Sequence, residues 1–155
     1  MSGAARLISP YEVEVGGKII TTESIVIASG ARPFVPPVPG LADIDYLTSD
    51  NVWSLTELPP RLLVVGGGPI GCELAQAFSH LGSKVTQVDM ATRIMPREDE
   101  DVSDAVSARF IEQGIDLLTG HKLLKFETVD GEHFMEAEHE GSTVRVAFDK
   151  VLLAI

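Results

Sequence analysis

The residues of this chain best suited to chemistry are three glycines and an acid: Gly66, Gly68, Gly71 and Asp89. They lie in the stretch RLLVVGGGPIGCELAQAFSHLGSKVTQVD, Arg61 to Asp89. In the spacing G-x-G-x-x-G the first glycine permits a tight turn out of a strand. The second lets backbone approach a ligand closely, and the third lets a helix pack tightly on strands. A diphosphate suits such a turn, because a helix opening at Pro69 offers unpaired N–H groups and the positive end of its dipole. Pro69 fits that first position, since the N–H it lacks has no helical partner there. Ile70 completes the turn between the second and third glycines. Asp89 follows Gly68 by 21 residues, close to the spacing of an acid that accepts hydrogen bonds from an adenosine ribose.

The elements around these residues agree with that chemistry. Leu62 to Val65 is a short apolar run that reads as a strand. A helical pattern follows Gly71, and a β-branched run, Lys84 to Val88, delivers Asp89. Strand, glycine turn, helix, strand and acid make a dinucleotide-binding βαβ unit. Two alternatives use the same turn. One is a glycine-rich corner with no ligand. The other is a methyltransferase-like fold that binds S-adenosylmethionine, disfavoured because no acid stands in the strand before Gly66.

The remaining chain supplies a frame. Residues 11–20 read as a hairpin with a Gly16-Gly17 turn, after a start with no clear first element. Ser24 to Ser29, SIVIAS, reads as a strand covered on both faces. RPFVPPVPG, Arg32 to Gly40, is an extended connection rich in proline. It ends a first segment at residue 40, and a second spans 41–155. Thr48 or Ser49 can cap a short helix through about Ser54, with Trp53 anchoring it to the core. A helix from about Asp99 to Gln113 carries Val102, Val106, Phe110 and Ile111 at helical spacing and stops at Gly114. Ile115 to Leu118 is a third strand. From Lys122 the period becomes two, giving four strands turned at Asp130-Gly131, Glu140-Gly141 and about Asp149. The expected fold class is α/β: a Rossmann-like three-layer domain, with a parallel sheet plus an antiparallel meander. The apolar end, Val151 to Ile155, and the weak start read as the cut ends of a fragment.

Other reactive side chains have plainer explanations. Cys72 in the first helical turn reads as a small buried packing residue. Glu98, Asp99, Glu100, Asp101 and Asp104 complement a helix N-terminus on a solvated face rather than hold a metal. The four histidines, His80, His121, His133 and His139, show no ligand spacing. Met90 and Met95 fill gaps beside the loop after Asp89.

A formal net charge of −11 argues against nucleic acid or an anionic membrane as partner. No apolar run reaches the roughly 20 residues that span a bilayer, and no signal peptide is visible. One cysteine cannot form an internal disulfide, so a reducing, cytoplasmic setting is expected.

Three stretches together resemble the pyridine nucleotide–disulfide oxidoreductases, FAD enzymes such as dihydrolipoamide dehydrogenase, mercuric reductase and glutathione reductase. SIVIASGARPFVPPVPG is similar to the segment where the chain leaves the family's FAD domain. TSDNVWSLTELPPRLLVVGGGPIGCELA is similar to the entry to its NAD domain, and DKVLLAI to the strand that leads back. The resemblance implies that residues 1–40 end an FAD-binding domain and that 41–155 bind NAD(P)H, passing hydride to FAD and on to a disulfide or similar acceptor. It implies that Glu73, the acid of the family's extended motif, faces the nicotinamide. Asp89 would repel a 2′-phosphate, which favours NAD over NADP, although Arg93 nearby could pair with that phosphate. The FAD domain of the parent chain and a second copy of the full-length protein are the implied partners. No redox cysteine pair or FAD-type glycine turn is present, so no catalytic residue is assigned here and the stretch alone would be inactive. A non-catalytic nucleotide-sensing module is the alternative.

Overall fold

A strand forms where the sequence shows no clear element. In the computed structural model, which describes residues 1–155, β1 (Ala5–Ser9) pairs antiparallel with β2 (Glu12–Val15), and β2 pairs with β3 (Lys18–Thr21). Gly16 and Gly17 both take positive φ, the pairing of angles that a two-residue hairpin turn needs. These strands belong to a first compact unit, Met1–Ala31, distinct from a second, Arg32–Ile155. Ser24 to Ser29 is not the covered strand that its composition suggests. It has no regular structure, and Val26 is 88% exposed. A β-branched run becomes a strand only where a neighbour accepts its N–H and C=O groups, and no strand of this chain pairs with it.

The second unit is built on five parallel strands in the order β4-β11-β5-β6-β7: β4 (Tyr46–Thr48), β5 (Arg61–Val65), β6 (Lys84–Val88), β7 (Asp116–Leu118) and β11 (Lys150–Leu153). Helix α1 (Pro69–Leu81) crosses from β5 to β6, and α2 (Glu100–Glu112) from β6 to β7. An antiparallel meander of β8 (Lys122–Val129), β9 (Glu132–His139) and β10 (Ser142–Phe148) then leads back to β11.

Alternation along the strands explains the layers. Leu62 and Val64 of β5, with Val85 of β6 and Leu152 of β11, pack with Cys72, Ala75, Phe110 and Ile115 on the helix side. Leu63 and Val65, with Val88, Val151 and Leu153, pack with Phe126, Met135, Ala137 and Phe148 of the meander. The parallel strands are covered on both faces, which is why they read as continuous apolar runs. The α/β class with a parallel sheet and antiparallel meander is therefore observed. Both turns of the meander, Asp130-Gly131 and Glu140-Gly141, take positive φ at both positions, as hairpins with two-residue loops require.

Three local expectations are corrected. Thr48 ends β4 instead of capping a helix, and only a single 3-10 turn, Val52–Ser54, follows Asn51. Asn51 Oδ1 accepts the Thr48 N–H at 2.6 Å and Thr48 Oγ1 accepts the Asp50 N–H at 3.3 Å, a capping-like pair that the chain follows with one turn and no α-helix. Trp53 does not anchor this turn to the core. It is 76% exposed, and its indole N–H donates to the Ser49 carbonyl at 2.8 Å. In α2, Val102 and Ile111 are exposed, Ser103 and Phe110 are buried, and Val106 is partly buried beside them. The Ser103 hydroxyl donates to the Ile94 carbonyl at 2.6 Å, so a polar residue holds the place the apolar pattern assigned to its neighbour. No helix is long and apolar enough to cross a membrane.

Candidate functional site

Gly66, Gly68, Pro69, Ile70, Gly71 and Asp89 come together at the carboxyl ends of β5 and β6. This is where open parallel sheets expose backbone to ligands. The three glycines have different reasons to be glycine. Gly66 takes φ +118°, and a Cβ there would lie 2.3 Å from the Ala154 carbonyl oxygen. A Cβ on Gly71 would lie 2.2 Å from the Gly66 carbonyl oxygen. Both glycines are therefore demanded by the chain itself. Gly68 is not. Its φ of −76° and ψ of 178° suit any residue, and a Cβ there would meet nothing within 4 Å.

Helix α1 begins directly after Gly68, with Pro69 as its first residue. No side chain caps it, and its first turn holds no acid. Its leading amides thus have no capping side chain, while the Asp89 carboxylate sits just before them on the Gly67 N–H. Glu73 lies one turn further on, exposed, with no ion pair or hydrogen bond to another side chain. Being outside the first turn, it does not serve as the dipole-complementing acid of this helix.

Asp89 is more occupied than its spacing suggests. Its Oδ2 accepts the Gly67 N–H, and its Oδ1 accepts the Ala91 N–H at 2.6 Å. A carboxylate oxygen has a second lone pair, so these bonds orient the group and leave acceptor capacity free. The loop after Asp89 folds back under the turn, where the Met95 N–H donates to the Gly67 carbonyl at 2.6 Å. Met95 packs against the core as expected, whereas Met90 is 71% exposed and fills no gap. Arg93 is tied by Nη2 to the carbonyls of Pro96 at 3.3 Å and Glu98 at 3.1 Å, so it braces its own loop.

Sequence reasoning missed two contributors. Gln87 is 1% exposed beneath the turn, and its Nε2 donates to the Gly66 carbonyl at 2.9 Å. The available signal was a glutamine at an inward register position of a parallel strand. The second is the loop after β7. The His121 N–H donates to the Asp89 carbonyl at 3.0 Å, and the His121 ring stacks on His139 at 4.3 Å. Two of the histidines that look scattered in sequence thus meet beside Asp89. Cys72 is buried as expected, and burial pushes its thiol pKa up.

At the opposite, amino end of the sheet Arg61 meets Asp149 and Glu132. Arg61 Nη2 lies 2.6 Å from Asp149 Oδ1, and Nη1 lies 2.6 Å from Glu132 Oε1. The Arg61 guanidinium holds the Asp149 carboxyl below its ordinary range. A shallow cleft of about 500 Å³ lies beside this network, lined by Lys84, Asp116 and Arg145 among others. It is remote from the glycine turn. Its charges are paired within the chain, Lys84 with Asp116 and Arg145 with Glu127.

A profile of the pyridine nucleotide-disulphide oxidoreductases matches residues 1–155. The chain belongs to this family. Mercuric reductase from Staphylococcus aureus is 38% identical over 98% of this chain and 28% of its own length. Among solved structures, the HOCl-induced flavoprotein disulfide reductase RclA from Escherichia coli superposes with a TM-score of 0.77. It is 33% identical, and the match covers 99% of this chain and 35% of that one. An engineered NADPH oxidase bound to NADPH, a mutant of the Lactobacillus brevis NADH oxidase, matches with a TM-score of 0.73. It is 25% identical, over 93% of this chain and 34% of that one. The chain spans about a third of the length of such relatives. Family membership in flavin-dependent oxidoreductases displaces the methyltransferase-like alternative.

Proposed function

We propose that the second unit binds a nicotinamide dinucleotide at the carboxyl end of its parallel sheet, with the diphosphate over Gly66–Gly71. The observation that carries this reading is Gly68. Neither its backbone angles nor its packing calls for glycine, so the space is kept clear for something outside the chain. That space adjoins the uncapped start of a 13-residue helix, where an anion gains most from free amides and dipole. The residues present therefore fit the diphosphate of a dinucleotide.

NADH is the preferred form. Asp89 presents an oriented carboxylate where an adenosine ribose would lie, and a 2′-phosphate would meet like charge. The engineered NADPH oxidase supports this assignment. Its substitutions fall at a glycine, at an aspartate 18 residues later, at the two residues after that, and at a proline 7 residues beyond the aspartate. Gly71, Asp89, Met90, Ala91 and Pro96 stand at the same spacing here. Glu73, unpartnered on the first helix, is assigned to the nicotinamide side of the site.

Within the whole protein this unit serves a flavin-dependent oxidoreductase, with residues 1–40 ending the FAD-binding part and two copies forming a dimer in a reducing, cytoplasmic setting. When bound, the dinucleotide supplies hydride for the flavin, which passes electrons to a disulfide or similar acceptor. The residues of this chain bind and orient. Calorimetry of NADH with ADP-ribose as competitor tests the reading. ADP-ribose keeps the diphosphate and lacks the nicotinamide, so it should displace NADH. NADH binding that ADP-ribose cannot displace would overturn the placement over the turn.

A further inference from the structure

One peptide group of the glycine turn is gripped from both sides by the neighbouring strand. Gln87 Nε2 donates to the Gly66 carbonyl at 2.9 Å, and Asp89 Oδ2 accepts the N–H of Gly67. These carbonyl and N–H groups belong to the same peptide plane, Gly66–Gly67. Gln87 lies in β6 and Asp89 directly follows its end, two residues on, at the spacing that alternation turns toward one face. With one donor and one acceptor fixed at opposite ends, that plane has one orientation open to it.

We infer that Gln87 is a positioning residue for the dinucleotide site: with Asp89 it clamps the Gly66–Gly67 peptide and so presets the turn that receives the diphosphate. The proposal rests on the dinucleotide reading for its consequence but not for its geometry. Three observations converge on it. Gln87 is fully buried, and an apolar residue in its place would leave the Gly66 carbonyl without this donor. Its Oε1 is buried without a partner, an unfavourable arrangement that a mere filler would not need. The carbonyl it holds is the atom that excludes a Cβ at Gly71, and Gln87 Nε2 itself stands 3.2 Å from that Cβ position. The third glycine of the motif is thus glycine because Gln87 fixes where the first one points.

The turn is further held by the Cys72 thiol, 3.5 Å from the Gly67 carbonyl, which also receives the Met95 N–H. Those contacts fix the next peptide. Only Gln87 acts on the Gly66 carbonyl from a side chain, so its loss leaves that plane held from the Asp89 end alone and loosens the amides that follow.

The test uses the protein as isolated, with Gln87→Met to remove the donor at similar length and Thr86→Val on the opposite face of β6 as control. Hydrogen-exchange mass spectrometry is read on the peptide spanning residues 64–74, and NADH and ADP-ribose binding by calorimetry. The expected result for Gln87→Met is exchange faster by about tenfold at the turn and unchanged in β8–β10. Both ligands should lose about tenfold in affinity, while Thr86→Val changes neither readout. Unchanged exchange at the turn, or unchanged affinity, overturns the proposal. Faster exchange throughout the meander with a matching fall in melting temperature also overturns it, since Gln87 would then be supporting the core alone. If the parent protein binds no NADH, the dinucleotide reading fails and the exchange result alone decides the clamp.

Discussion

At the amino end of the parallel sheet Arg61 closes on Asp149 and Glu132, so its guanidinium is satisfied inside the chain. At the carboxyl end the amides opening α1 have no cap, Glu73 has no partner, and Gly68 guards empty space. Both ends join elements distant in sequence. One is satisfied internally and the other is left to be satisfied from outside, which is the difference expected between a structural corner and a binding site. Asp89 belongs to both descriptions, because it holds the turn with two backbone bonds and keeps lone pairs to spare.

Substitutions should separate the two ends by what they damage. The largest effect on stability is expected from Gly66→Ala. A Cβ at φ +118°, 2.3 Å from a backbone oxygen, forces a shift of β11 or of the turn, at about 3 kcal/mol, read by urea denaturation. Next, Asp89→Arg should raise the NADPH-to-NADH affinity ratio by about tenfold, or about 1.4 kcal/mol, as measured by calorimetry. Loss of the Gly67 and Ala91 bonds weakens both ligands alike and leaves that ratio readable. An unchanged ratio would mean that Asp89 works only on the turn. The smallest effect belongs to the amino end. Asp149→Asn should lower stability by about 1 kcal/mol at pH 7, because the pair is partly open to water. The folded pKa of Asp149 is depressed by Arg61. Its stabilisation is therefore complete above the unfolded value of about 4 and disappears as pH falls through the folded one. Melting curves of wild type and variant should converge in that acid range and stay apart at neutral pH.

How much of this was legible in the sequence depends on where each residue finds its partner. Arg61 to Asp89 is legible because its signals are local: a glycine turn, Pro69 at the helix start and a strand on each side. Leu62–Val65 and Ser24–Ser29 carry nearly the same β-branched signal, yet the first is fully buried and the second lies exposed without a partner strand. Propensity proposes a strand, and pairing decides it. Strand β4 is not legible because three residues hold too little periodicity, and its strand character comes from β11, about a hundred residues later. An apolar ring suggests a core anchor at Trp53, but its N–H finds a carbonyl in its own turn and the ring stays exposed. Gln87 was visible as a polar residue in a buried strand, but its role depends on the Gly66 carbonyl, which only the folded turn brings within reach.

The central claim is that the space over Gly68 belongs to the diphosphate. It is tested most directly by titrating NADH into wild type and Gly68→Val under the same conditions, with melting temperatures recorded for both. The account predicts that NADH binds wild type and fails to bind Gly68→Val, while the two melt within about 3 °C of each other, since the added side chain meets nothing in the chain and shifts stability by less than about 1 kcal/mol. Equal NADH affinity in the two proteins would contradict it.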